Sequence, residues 1–68
     1  MKIVETYGLY HYEVEGENEE AAAKELDEGY DFIMSPATSH MTSEERLIEL
    51  HDLRKSIENK YNVTIKIV

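Results

Sequence analysis

The chain alternates short apolar stretches with polar breaks, and the spacing within each stretch predicts its conformation. Residues Lys2 to Glu15 are rich in Tyr, Val and Ile, side chains that suit a pleated, half-buried surface. In one unbroken strand Ile3 and Tyr7 would face away from Tyr10, Tyr12 and Val14, because side chains alternate with period two. Gly8 offers two resolutions. A bulge at Gly8-Leu9 brings all five to one face, whereas a tight turn at Tyr7-Gly8 makes a hairpin. Two strands, or one sharply bent strand, are expected here.

Gly16-Glu17-Asn18 supplies a break and a helix cap, followed by Glu19 and Glu20 in a first turn where the helix dipole favours negative charge. The predicted helix runs through Ala21-Ala22-Ala23 and Leu26 to Gly29, a residue suited to the left-handed position that ends a helix. Ala22, Ala23 and Leu26 share its inward side, and Glu17, Glu20, Glu25, Asp27 and Glu28 cover the outward side. Tyr30 to Met34 reads as a short strand with Tyr30, Phe32 and Met34 on one face, and Ser35 to Met41 as a loop. Thr42-Ser43-Glu44-Glu45 reads as a capping box. The second helix should continue to about Lys60 and bury Leu47, Leu50, Leu53, Ile57 and Tyr61, which fall within a stripe about 120° wide. Asn62 ends it, and Val63 to Val68 follow as a strand with Val63, Ile65 and Ile67 on one face.

These elements predict an α+β or α/β fold over 1–68 as a single domain. The expected form is a small two-layer sandwich, β(β)αβαβ, whose sheet of three to four strands carries two helices on one face. The other face of the sheet would show Val4, Thr6, Leu9, His11, Ile33, Thr64, Lys66 and Val68, a set more apolar than a solvated face should be.

Size and composition narrow the picture further. A chain of 68 residues buries only about 60% of its unfolded surface, and without cysteine it has neither disulfides nor thiolate metal sites. A reducing, cytoplasmic setting is expected, with a homo-oligomer as one way to enlarge the core. Met1 to Glu5 reach an acid too soon for a secretory signal, and no apolar run approaches the roughly 20 residues that span a bilayer. Asn62-Val63-Thr64 matches the glycosylation pattern by chance in that setting.

The net charge is −8, and it is unevenly placed: nine of the 15 acids lie between Glu13 and Asp31, with Lys24 the sole base among them. From Glu44 to Lys60, five acids face four bases. Such a field opposes nucleic-acid backbones and anionic lipid, so neither nucleic acid nor membrane is expected as a direct partner, and a protein met through charge should be basic. The plainer account is a solvated acidic face that keeps a small domain in solution.

Motifs that announce chemistry are missing. The chain has no glycine-rich dinucleotide turn, no phosphate loop, no His-Glu-x-x-His and no calcium loop, so no catalytic residue, cofactor or metal is expected. His40, Glu44 and His51 share a sector about 40° wide, but 11 residues of helix would hold the two histidines about 16 Å apart, too far for one ion. Five tyrosines serve either core and rim or a contact surface.

Two candidate sites remain. The leading expectation is a small acidic protein–protein interaction module, a regulator or inhibitor of a basic, nucleic-acid-binding protein of the kind carried by phages and mobile elements. Its candidate partner-binding residues are Glu17, Glu20, Asp27, Glu28 and the exposed Ile48. The alternative is a small-anion or ligand binder built from Ser35, Thr38, Ser39 and His40, at the N-terminus of the second helix. That loop lacks a glycine with which to wrap a phosphate, and an ordinary capped loop is its plainer reading. A homodimer that covers its own open sheet face or edge strand is the third expectation.

Overall fold

The computed structural model describes residues 2–6 and 10–67. The expected bulge or turn at Gly8, with Tyr7, Leu9 and Val68, lies outside the described residues, as do the side chains of Thr6 and Tyr10. Strand β1 (Lys2–Thr6) pairs antiparallel with β2 (Tyr10–Gly16), with Lys2 opposite Val14 and Thr6 opposite Tyr10. Strand β3 (Val63–Ile67) pairs antiparallel with the other side of β2, so the sheet order is β1-β2-β3 and β2 is central. Between β2 and β3 the chain makes α1 (Glu19–Ile33), a 3-10 turn at Pro36–Thr38, and α2 (Ser43–Tyr61).

Three strands and two helices match the expected sandwich, but their order is ββααβ. The segment Tyr30–Met34 is not a strand. It forms the last turn of α1 and its C-cap, Met34. Gly29 does not end the helix, because it is the point where α1 and α2 touch: a Cβ there would stand 2.8 Å from both Leu53 methyls. The buried residues of α1 are Ala22, Ala23, Leu26, Tyr30 and Ile33, spaced three and four apart as one helical face requires. Ile33, expected on the open sheet face, is therefore in the core, and Phe32, expected inside, is 63% exposed.

The helices run antiparallel, with Glu25 beside Lys60, Gly29 beside Leu53, and Tyr30 near Leu50. Both lie on the sheet face formed by Val4, Tyr12, Val14 and Val63. Tyr30, Leu26, Ile57 and Val14 fill the centre of this layer. Tyr12 and Tyr30 pack tilted at 6.2 Å between ring centroids, and Arg54 of α2 stands over the Tyr12 ring.

Pairing of β1 with β2 also reverses the expected facing of the first strand. Val4 lies opposite Tyr12 and is buried with it, whereas Ile3 lies opposite Glu13 on the open face and is 55% exposed. That face carries Ile3, Glu5, His11, Glu13, Glu15, Thr64 and Lys66. It is charged and solvated, contrary to the apolar surface expected, and His11 neighbours Glu5 there, 3.7 Å away.

At the far end α2 outruns its support. Its 19 residues rise about 28 Å, against about 17 Å for the five of β3. Among the described residues the sheet has three strands and no fourth, and Leu47, expected to be buried, is 63% exposed beside the exposed Ile48. Leu50 and Ile57 are buried, and Leu53 and Tyr61 pack half-buried against the core.

Candidate interaction surface

The acidic surface begins where β2 gives way to α1. Gly16 takes φ 136°, and Asn18, the N-cap, takes the left-handed conformation without a side-chain cap. The Glu19 carboxylate instead accepts from the Gly16 amide at 3.0 Å. From there α1 presents Glu20, Lys24, Glu28 and Asp31 to solvent, with Asp27 half-buried at the margin. Glu17 and Glu28 are exposed, as the partner-binding expectation requires, and Ile48 is exposed too, but on α2 and its unsupported end.

Glu25 departs from the outward set assigned to it. Gly29, four residues later, lets α2 come close enough for Glu25 Oε1 to accept from Lys60 Nζ and from the Tyr61 hydroxyl, each at 2.9 Å. The Lys60 ammonium, and then the Tyr61 hydroxyl, hold the Glu25 carboxyl below its usual range, and Glu25 in turn raises Lys60.

Every base on α2 is engaged with a group of this chain. Arg46 donates to the Thr38 carbonyl at 3.0 Å, Arg54 covers Tyr12, Lys55 lies 3.6 Å from Glu58, and Lys60 binds Glu25. In contrast, Glu17, Glu20, Asp27, Glu28 and Asp31 enter no ion pair among the described residues. The last turn of α1 has no basic residue. Its negative dipole end therefore adds to Asp27, Glu28 and Asp31 instead of being offset. Sequence reasoning placed Glu20, Asp27 and Glu28 on the helix as found, but Glu17 lies in the turn before the Asn18 N-cap, and the partners that the α2 cations find within the chain were missed.

Beside this helix runs the outer edge of β1. A cleft of about 330 Å³ lies between them, lined by Lys2, Ile3, Val4 and Glu5 from the strand and Glu20, Ala23, Lys24 and Asp27 from α1. No sequence signal marks such a cleft, because strand order alone makes β1 an edge.

The loop proposed for a small ligand joins two helices rather than a strand and a helix. The Ser35 hydroxyl donates to the Phe32 carbonyl at 2.6 Å and accepts from the Ala37 amide at 3.3 Å. Thr38 is buried, and its hydroxyl is directed to the Ile33 and Ser35 carbonyls. Ser39 and His40 are exposed. The hydroxyls of Ser35 and Thr38 thus close the turn. Next to them the capping box forms as read, with Glu45 N–H donating to Thr42 Oγ1 and Thr42 N–H to Glu45 Oε1, both at 3.1 Å. The Thr42 amide, with the hydroxyl, lowers the Glu45 carboxyl. Among the described residues, no three His, Asp or Glu side chains converge as metal ligands, and no helix is long and apolar enough to cross a membrane.

Comparison with models of known protein families, with curated proteins and with solved structures returned no match. Function must therefore be read from the side chains themselves.

Proposed function

We propose that this chain is an interaction module that binds a protein with a basic surface through the acidic side of α1, acting as a regulator or inhibitor of that partner. The observation that supports this reading is the division of charge between the helices. Lys55 and Lys60 of α2 are paired with Glu58 and Glu25, and Arg46 and Arg54 are held at the Thr38 carbonyl and the Tyr12 ring, so none of these bases forms an ion pair with Glu17, Glu20, Asp27 or Glu28. Opposed charge of this kind accelerates encounter and selects partners more than it adds affinity. A target whose basic surface receives nucleic-acid phosphates would meet carboxylates in their place.

The reading is tested by immobilising the chain and a Glu17→Lys, Glu20→Lys, Asp27→Lys, Glu28→Lys variant side by side in an extract of the source cell. The parent chain should retain a basic protein that elutes as salt is raised, and the variant should not. A partner held equally by both, or indifferent to salt, would exclude the acidic surface as the contact.

A further inference from the structure

The strand edge beside α1 combines features that the charge of the helix alone does not supply. β1 pairs with β2 on one side only, so the backbone N–H and C=O groups along its outer side have no strand neighbour among the described residues. Exposed edges of this kind template the addition of another strand. The cleft leaves room for one: Val4 and Ala23 form its buried apolar floor, and the alanine side chain is short enough to keep the trough open between helix and strand.

Charge then selects the occupant. Glu20 and Asp27 border the cleft from the helix layer and Glu5 from the strand, against Lys2 and Lys24. Behind Glu5 stands His11, and the open face continues along β2 with Glu13 and Glu15. A second copy of this chain would bring the same acids and another net charge of −8 to this edge. An extended segment bearing bases at alternate positions meets the opposite situation. Side chains of an added strand alternate between the two faces of the sheet. Those on the helix side reach Glu20 and Asp27, and those on the other side lie along Ile3, which is 55% exposed, and Glu5.

We propose that the outer edge of β1 and the adjoining wall of α1 form a docking groove for an extended, lysine- or arginine-bearing segment of a partner protein, which joins the sheet as a fourth strand. This rests on the reading of the chain as a binder of basic protein and adds to it the mode of contact. An added strand hydrogen-bonds through alternate residues only, so one of its two sets of amides faces β1 and the other faces solvent.

The probe is a capped heptapeptide of alternating lysine and valine, titrated at low salt into the ¹⁵N-labelled full chain. Two further peptides carry N-methyl groups on one or the other alternate set of residues. The unmodified peptide should shift the amides of Lys2 to Glu5 together with those of Glu20 to Asp27. One N-methylated form should bind comparably, and the other about thirtyfold more weakly or not at all, the loss expected for two or three backbone hydrogen bonds. Glu20→Lys with Asp27→Lys should weaken the unmodified peptide as well. Equal binding of both N-methylated forms, with shifts confined to α1, would overturn strand addition while leaving a basic partner on the helix intact. Failure of the unmodified peptide to bind overturns the groove. Shifts in β1 that grow with protein concentration alone would assign the edge to a second copy instead.

Discussion

The two ends of the helical pair are held by different means. At the end where β2 enters α1 and α2 enters β3, contacts join residues far apart in sequence. Gly16 packs against the Asn62 carbonyl and Val63, Glu17 N–H reaches the same carbonyl at 3.4 Å, and Glu25 binds Lys60 and Tyr61. At the opposite end, the turn between the helices is held mainly by neighbours: Ser35 to Phe32, Thr38 to Ser35, Thr42 to Glu45. Arg46 to Thr38 spans eight residues there, and Leu47 and Ile48 stay uncovered. Long-range contacts cost chain entropy to form but couple the elements, so damage at the first end should propagate and damage at the second should remain local.

The sharpest break comes at Gly16. A Cβ in Gly16→Ala would stand 2.6 Å from the Asn62 oxygen and 2.9 Å from Val63 Cα, on a backbone held at φ 136°. Neither neighbour is a flexible side-chain tip. We expect a loss of about 3 kcal/mol or more in chemical denaturation, a large share of the roughly 5 kcal/mol available to a domain of this size. A midpoint near that of the parent would mean that the junction relaxes freely.

Gly29→Val tests the middle of the helical pair. Here the obstacle is the pair of Leu53 methyls, which can yield, so the expected cost is about 2 kcal/mol, from overpacking and a β-branched side chain in a helix. A stabilised variant would show that the helices have slack between them. Thr42→Ala, at the local end, should cost about 1 kcal/mol by removing one half of the capping box. Hydrogen exchange should then speed up in the first turn of α2 and leave β3 unchanged.

The smallest effect is a pH dependence at the coupled end. Glu25 has a folded-state pKa below its ordinary value of 4.5, so its contribution is present above that value and is lost as pH falls through the lowered folded one. Melting temperatures of the parent and of Glu25→Gln should differ by a constant amount at neutral pH, and the gap should close as the solution is acidified below about 4.5. The exposed setting of the pair keeps the difference small. A gap that widened in acid would contradict the sign of the Glu25–Lys60 interaction.

Much of this architecture was legible because the signals are local. The Thr42 capping box, the stop at Asn62, the alternation in β3 and the inward face of Ala22, Ala23 and Leu26 each depend on residues within a few positions of one another. Where local signals conflicted, the wrong one was persuasive. Tyr30, Phe32 and Met34 alternate like a strand, Gly29 resembles a terminus, and Asp31 sits badly at a helix C-terminus. The overlooked signal was Leu26, Tyr30 and Ile33 at positions i, i+4 and i+7. Of the candidate partner-binding acids, Glu17 precedes the N-cap of α1, whereas Glu20, Asp27 and Glu28 could be placed on one helix from their spacing. Their lack of compensation could not, because it depends on where Arg46, Arg54, Lys55 and Lys60 of α2 find partners.

The amino-acid sequence by itself determined that two helices pack with a small sheet, the concentration of acid on and around the first helix, and the caps of the second. Each follows from periodicity or from side-chain chemistry within one or two turns. Only the tertiary structure decided that Gly29 is a crossing point between helices, that Val4 rather than Ile3 faces the core, and that β1 is an edge flanked by an acidic wall. Those outcomes depend on strand pairing and on the approach of residues tens of positions apart, where burial of a shared apolar face outweighs local preference.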